Sequence, residues 1–241
     1  MSESFIVKDL LKEKAEMFHV KLDDTALERF EIYGKLLVEW NEKINLTAIT
    51  DAEGVTIKHF LDSLTIFSCT DIPKGAKVID VGTGAGFPGL AMLIARPDLK
   101  MTLMDSTKKR LMVIENILDN IGLTADVVHS RAEDAGQNKA YREQYDFSTA
   151  RAVTNLRDLA EYCLPFVKIG GSFIPMKSAK AQEEMTEAKK AIHILGGQII
   201  KYDTFDLLDC GERTIINIKK ISPTPAKYPR PSAKIAKNPI K

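Results

Sequence analysis

Cysteine, tryptophan and long apolar runs are what this chain has least of. Cys69, Cys163 and Cys210 are its three cysteines in 241 residues, far apart and without a CxxC pair. That excludes a disulfide scaffold and a cysteine-rich zinc module, and the three are read as buried thiols. No stretch reaches the roughly 18 apolar residues of a membrane span. Met1-Ser2-Glu3-Ser4 lacks the basic and then apolar opening of a secretion signal. The expectation is a cytoplasmic protein with no membrane partner, in which the sequon Asn45-Leu46-Thr47 stays unglycosylated. An excess of one charge is also lacking, since the net charge is +1. Its distribution says more: Lys219 to Lys241 carries seven Lys or Arg residues and no acid. The bland reading of that run is a solvated, frayed terminus; the functional one is a surface for phosphates.

Periodicity divides the chain. Three helical patterns come first: Ser4 to Phe18; a segment capped by Asp23 or Asp24, with Ala26, Phe30, Tyr33, Leu37 and Trp40 on one apolar stripe; and a third after Asp51. The third carries Val55, Phe60, Leu61, Leu64 and Phe67. Trp40 is read as core. Residues 1–70 are therefore a helical appendage, ending at the turn-rich Asp71-Ile72-Pro73-Lys74-Gly75. Residues 71–221 alternate short apolar strands with helices, the pattern of a parallel sheet covered on both faces. Strands are expected at 77–81, 101–105, 126–129, 145–150 and 172–176. Helices are expected at 88–95, 107–121, 156–167 and 181–195. The segments 198–205 and 214–220 have no helix between them and should pair antiparallel at one sheet edge. Residues 222–241 form the basic tail.

The chemistry-bearing segment is Asp80-Val81-Gly82-Thr83-Gly84-Ala85-Gly86-Phe87-Pro88-Gly89, at the end of the first strand. Gly84 to Gly89 spells GxGxxG, which a dinucleotide oxidoreductase would also show, and which a tight turn without a ligand could explain. Asp80 separates the two cofactors. NAD-binding strands usually reach their first glycine without an acid there, whereas Asp80 can act on the amino group of a methionine moiety, directly or through the loop. Asp105, at the end of the second strand, suits both ribose hydroxyls of either nucleoside cofactor. With an antiparallel last strand, the reading is an α/β, class I (Rossmann-like) methyltransferase sheet that binds S-adenosylmethionine. Ser130-Arg131-Ala132-Glu133 follows the third strand, where an adenine would lie, and also reads as a helix start capped by Ser130 with Glu133 completing the box.

Ala150-Arg151-Ala152-Val153-Thr154-Asn155 follows the fourth strand, where acceptor-binding groups are expected. It holds neither an Asn-Pro-Pro-Tyr-like box for exocyclic amines nor a cysteine for pyrimidine C5 chemistry. Guanine N7 is an attractive acceptor, because its lone pair is free at neutral pH and needs no base to expose it. Arg151 holds an RNA phosphate or the cofactor carboxylate, or is spent on a salt bridge to Asp80 or Glu133. His59, Asp62 and Ser63 share one helix side, where a lone histidine is more often a structural hydrogen-bonder than a base. Arg151 and His59 are the candidate catalytic residues for what is otherwise a positioning mechanism.

These segments, with Asn45-Leu46-Thr47-Ala48 and His59-Phe60-Leu61-Asp62-Ser63-Leu64, resemble the bacterial 16S rRNA guanine-N7 methyltransferase family, also called glucose-inhibited division protein B, over nearly the whole chain. The resemblance implies cofactor contacts at Gly82, Phe87, Ala132, Glu133 and Arg151, with Gly84 in the same loop and Asp105 at the ribose. It implies methyl transfer to a guanine in the decoding-region hairpin of 16S rRNA, free or in a small-subunit assembly intermediate. Tyr228-Pro229-Arg230, Lys234, Lys237 and Lys241 would then track phosphates. Lys58 stands where the family often has arginine, keeping charge but losing the bidentate fork. A small-molecule methyltransferase and a non-catalytic RNA-binding assembly protein are the alternatives. A monomer is expected.

Overall fold

A computed structural model describes residues 4–240. Met1, Ser2, Glu3 and Lys241 lie outside the described residues. Seven strands, β1 (Lys77–Val81), β2 (Lys100–Asp105), β3 (Asp126–His129), β4 (Tyr145–Arg151), β5 (Val167–Lys177), β6 (Gly197–Asp206) and β7 (Glu212–Lys220), form one sheet in the order β3-β2-β1-β4-β5-β7-β6. β1 to β5 pair parallel, and β7 runs antiparallel to both β5 and β6. This is the expected class I sheet. Its strand order reverses between β1 and β4, so the crevice past their carboxyl ends is where a ligand is accommodated.

Each strand's two-residue period feeds two cores. Val78, Met101, Leu103, Ile174 and Ile215 face one, while Ile79, Met104, Phe173, Ile216 and Ile218 face the other. The first core is completed by α4 (Gly89–Ala95), α5 (Lys108–Ile121) and the N-terminal helices, α1 (Lys8–Ala15), α2 (Asp24–Asn41) and α3 (residues 52–69). The N-terminal segment is thus packed into the sheet's own core. Asp23 caps α2 by accepting from the Ala26 amide, and Asp51 caps α3 through Gly54. The second core holds α6 (Ala132–Gln137), α7 (Leu156–Cys163), α8 (Ala181–Ile194) and part of the C-terminal segment, which carries α9 (Ser232–Lys237).

Several expectations are corrected. The first helix starts at Lys8, and the segment before it is held by Glu31 and Thr56 side chains that accept the Phe5 and Val7 amides. The helix expected to reach Val167 ends at Cys163, where Pro165 supplies no amide hydrogen, and β5 begins at Val167. Trp40 is half-buried, its indole donating to Asn116. Cys69 and Cys163 are buried, but Cys210 is only partly covered. The C-terminal segment is no frayed tail: Tyr228, Ile235 and Ile240 are buried, and Arg142 donates to the Thr224 and Tyr228 carbonyls. Among the described residues, no helix is long and apolar enough to cross a membrane.

Candidate cofactor and acceptor cleft

The glycine loop leaves β1 with its first two amides tied to the next strand, since Gly82 and Thr83 both donate to the Met104 carbonyl. Gly82, Gly84 and Gly86 have φ of 74°, 61° and 106°, a region glycine enters without a Cβ penalty. Asp80 organises the turn from beneath. It is fully buried, and its Oδ2 accepts from Thr83 Oγ1 at 2.7 Å and from the Gly89 amide at 2.8 Å. Burial pushes its carboxyl up to about 6, against the lowering effect of those two hydrogen bonds. Asp80 does not line the cleft above the loop. Of the two routes expected for Asp80, the structure shows only its hold on the loop, through Thr83 and Gly89.

That cleft has a volume of about 600 Å³ and is bounded by the loops after β1, β2, β3 and β4. Of the expected site residues, Gly82, Gly84, Phe87, Asp105, Ala132, Glu133, Arg151 and His59 all line it. Asp105 accepts the Gly84 amide on one carboxylate oxygen and the Thr107 amide on the other, at 3.0 and 2.7 Å. Each oxygen can accept two hydrogen bonds, so one site on each remains for a diol. Ser130 does not cap the helix beside it. Arg131 occupies that cap without a side-chain bond, and the Ser130 hydroxyl donates to the Arg131 carbonyl.

Tyr33, Asp62 and Arg213, none of them among the expected cofactor or catalytic residues, complete the site. Tyr33, from the α2 stripe, donates its hydroxyl to the Ala85 carbonyl at 2.7 Å and stacks on Phe87 at 5.3 Å between ring centroids. Asp62 and Arg213 redirect the salt bridge expected of Arg151. Arg151 pairs with neither Asp80 nor Glu133; its Nη1 lies 2.6 Å from Asp62 Oδ2, and Arg213 Nε lies 2.7 Å from Asp62 Oδ1. Arg151 also sits over the Phe87 ring and donates to the Lys58 carbonyl, while the Lys58 side chain is exposed. The signal for Asp62 was its place in the His59 to Leu64 motif; Arg213 carried none.

His59 lies in the π-helical stretch Val55–Leu61 of α3, an irregularity common at functional sites. Its ring stacks on Phe87, and its Nε2 lies 2.7 Å from Thr47 Oγ1. Burial, then the Arg151 charge, holds its pKa down at about 4, so the ring is neutral near pH 7.

A family model described as rRNA small subunit methyltransferase G matches residues 26–211. The chain belongs to that family. It is 46% identical over 237 residues to ribosomal RNA small subunit methyltransferase G of Alkaliphilus oremlandii, covering 98% of this chain and 99% of the relative. The corresponding protein of Acetivibrio thermocellus is 48% identical over 237 residues, covering 97% of each chain. Among solved structures, the Methanococcus jannaschii fibrillarin pre-rRNA processing protein aligns with a TM-score of 0.52 at 12% identity, over 64% of this chain and 71% of its own. A 16S rRNA adenine-N1 methyltransferase from Catenulisporales acidiphilia aligns with a TM-score of 0.50 at 13% identity, over 64% of this chain and 94% of its own. These two share the fold. The protein is a methyltransferase, and its family and fold imply S-adenosylmethionine as donor.

Proposed function

We propose that the protein transfers a methyl group to N7 of a guanine in the decoding-region hairpin of 16S rRNA. Membership of a small-subunit rRNA methyltransferase family supports the RNA. Family membership is the observation that carries the reading, and the cleft is consistent with the atom: His59, the imidazole that lines it, has its pKa held down at about 4 and is a poor base near pH 7. Guanine N7 needs none, because its lone pair is already free and its methylated product is a cation formed without proton loss. When bound, the donor would supply an electrophilic methyl group on a sulfonium, with a neutral thioether as the leaving group.

The residues fit that donor. Gly82 and Gly84 place no side chain of their own over the cleft, Asp105 keeps acceptor sites for the ribose, and Ala132 and Glu133 flank an adenine. Phe87 and Arg151 hold the methionine end, with Asp80 acting through the loop. Orienting two reactants recovers about 7–11 kcal/mol of a barrier, so positioning supplies most of the catalysis. Lys234 and Lys237 are exposed on the short helix whose Ser232 and Ala236 line the cleft, and are the phosphate contacts of that segment. Incubation with labelled donor and unmodified small-subunit rRNA, either naked or as a partly assembled subunit, should give labelled N7-methylguanosine. Label only on small molecules, or tight donor binding without label on any RNA, would overturn the proposal.

A further inference from the structure

Every cofactor contact expected from the sequence lies between Asp80 and Arg151, yet one wall of the cleft comes from the C-terminus. Ser232 and Ala236, one turn apart on α9, line the same cleft as Ala132 and Glu133. The segment in front of α9 holds it there. The Pro229 ring lies directly on α6, where a Cβ added to Gly136 would stand 2.8 Å from Pro229 Cγ. Gln137, at the end of α6, donates to the Pro229 carbonyl at 2.9 Å, and Arg142 joins the Gly136 and Tyr228 carbonyls at 2.9 and 2.8 Å. Arg230 then forks onto Glu161 of α7 at 2.8 and 2.6 Å. The C-terminal helix is thus tied to α6 and α7, which bring Ala132, Glu133, Asp158 and Tyr162 to the cleft.

Glu133 marks what this end of the cleft takes. Its carboxylate is 9% exposed, accepts no hydrogen bond among the described residues, and meets Arg131 only at 4.0 Å. A buried carboxylate left without a donor calls for one from a ligand. The amino group of an adenine supplies it, and the small side chains of Ala132 and Ala236 leave room for a flat ring. We infer that Ser232 and Ala236 form the outer wall of the adenine subsite, which makes the C-terminal segment part of the donor site. Lys234 and Lys237 stay exposed on the same helix, so the wall does not compete with their contact to RNA. The inference rests on the S-adenosylmethionine reading above and adds to it the residues that enclose the base.

Calorimetry with S-adenosylhomocysteine and with methylthioadenosine, which lacks the amino-acid end, reads the subsite without turnover. Ala236→Trp and Ser232→Trp add bulk to the wall. Ala233→Trp adds the same bulk to α9 at an exposed position that does not line the cleft. Both wall variants should raise the Kd of both ligands by about tenfold or more, while Ala233→Trp stays within about twofold of wild type. Thermal melts without ligand check that the fold is kept, and Ala236→Leu, a smaller change to a good helix former, takes the place of a Trp variant that melts early. Wall variants that bind both ligands as the Ala233 variant does overturn the inference. So does a loss confined to S-adenosylhomocysteine, which would put the wall at the methionine end. A wild-type protein that binds neither ligand instead overturns the donor reading, so the two failures are distinguishable.

Discussion

Asp62 and Arg151 are 89 positions apart in the chain, yet their side chains meet at 2.6 Å, with Arg213 on the opposite carboxylate oxygen at 2.7 Å. Asp62 is 4% exposed. One carboxylate therefore holds α3 to the end of β4 and to β7, and fixes the arginine over Phe87. Asp62→Asn keeps the shape but leaves two guanidiniums facing each other. Removing one partner of a buried pair is expected to cost about 2–4 kcal/mol here, slightly below fully buried cases because both arginines keep some solvent contact. Arg213→Met should cost less, since Asp62 and Arg151 remain paired. Urea unfolding of the two variants measures this, and equal losses would refute the dominance of the Arg151 contact.

Gly86 gives a sharper steric test. A Cβ there would stand 2.5 Å from Tyr33 Oη and 3.0 Å from Leu90 Cβ, at a φ of 106°. Gly86→Ala must displace the hydroxyl that holds the Ala85 carbonyl, so donor affinity should fall together with stability, the latter by more than about 2 kcal/mol. Gly122→Ala is the control. Its φ is 64° with nothing within 4 Å of the added carbon, so it should cost only about 1 kcal/mol and leave donor binding intact. Thermal melts with and without donor separate the two.

The same loop shows what a sequence displays and what it hides. Local chemistry is legible: the glycines, Asp80, Asp105 and the strand alternation each state their role within a few residues of themselves. Tyr33 is not, because an apolar stripe at helical spacing accounts for it fully, and its hydroxyl partner lies 52 positions away. Arg213 looks like any cation on an edge hairpin until folding sets it against Asp62. The C-terminal helix was illegible for a related reason, since six residues with two lysines show no stripe and its wall of the cleft exists only in three dimensions. Pro165 was legible and outweighs the apolar spacing that would extend the helix.

Asp80 ties stability to pH. Its folded pKa, about 6, lies above the ordinary 3.8, so the folded state binds this proton more tightly than the unfolded one. The contribution is therefore most favourable below about pH 4 and is lost as pH rises through 6, leaving a penalty above it on the order of 2–3 kcal/mol. Asp80→Asn removes that dependence. The variant's stability relative to wild type should be higher at pH 8 than at pH 4.5, as measured by urea unfolding at both pH values. A difference that does not vary with pH would show that the carboxyl is not titrating in this range.

Arg230 decides how the RNA role of the basic segment is tested. It forms a forked pair with Glu161, which is 1% exposed, at 2.8 and 2.6 Å, so it is not available to a phosphate as the sequence proposed. Tyr228 is buried as well. Deleting residues 222–241 would strip Glu161 of its partner, at a cost of about 3 kcal/mol or more, and would remove a wall of the cleft. Loss of RNA binding in that truncation would therefore report unfolding as readily as a lost contact. Lys234 and Lys237 are exposed and bear no such load. The double variant Lys234→Ala, Lys237→Ala should melt like wild type and bind donor normally. It should weaken RNA binding, with the slope of log affinity against log salt reduced by about 1–2. An unchanged salt slope would remove these lysines from the RNA path and leave the segment a structural strap.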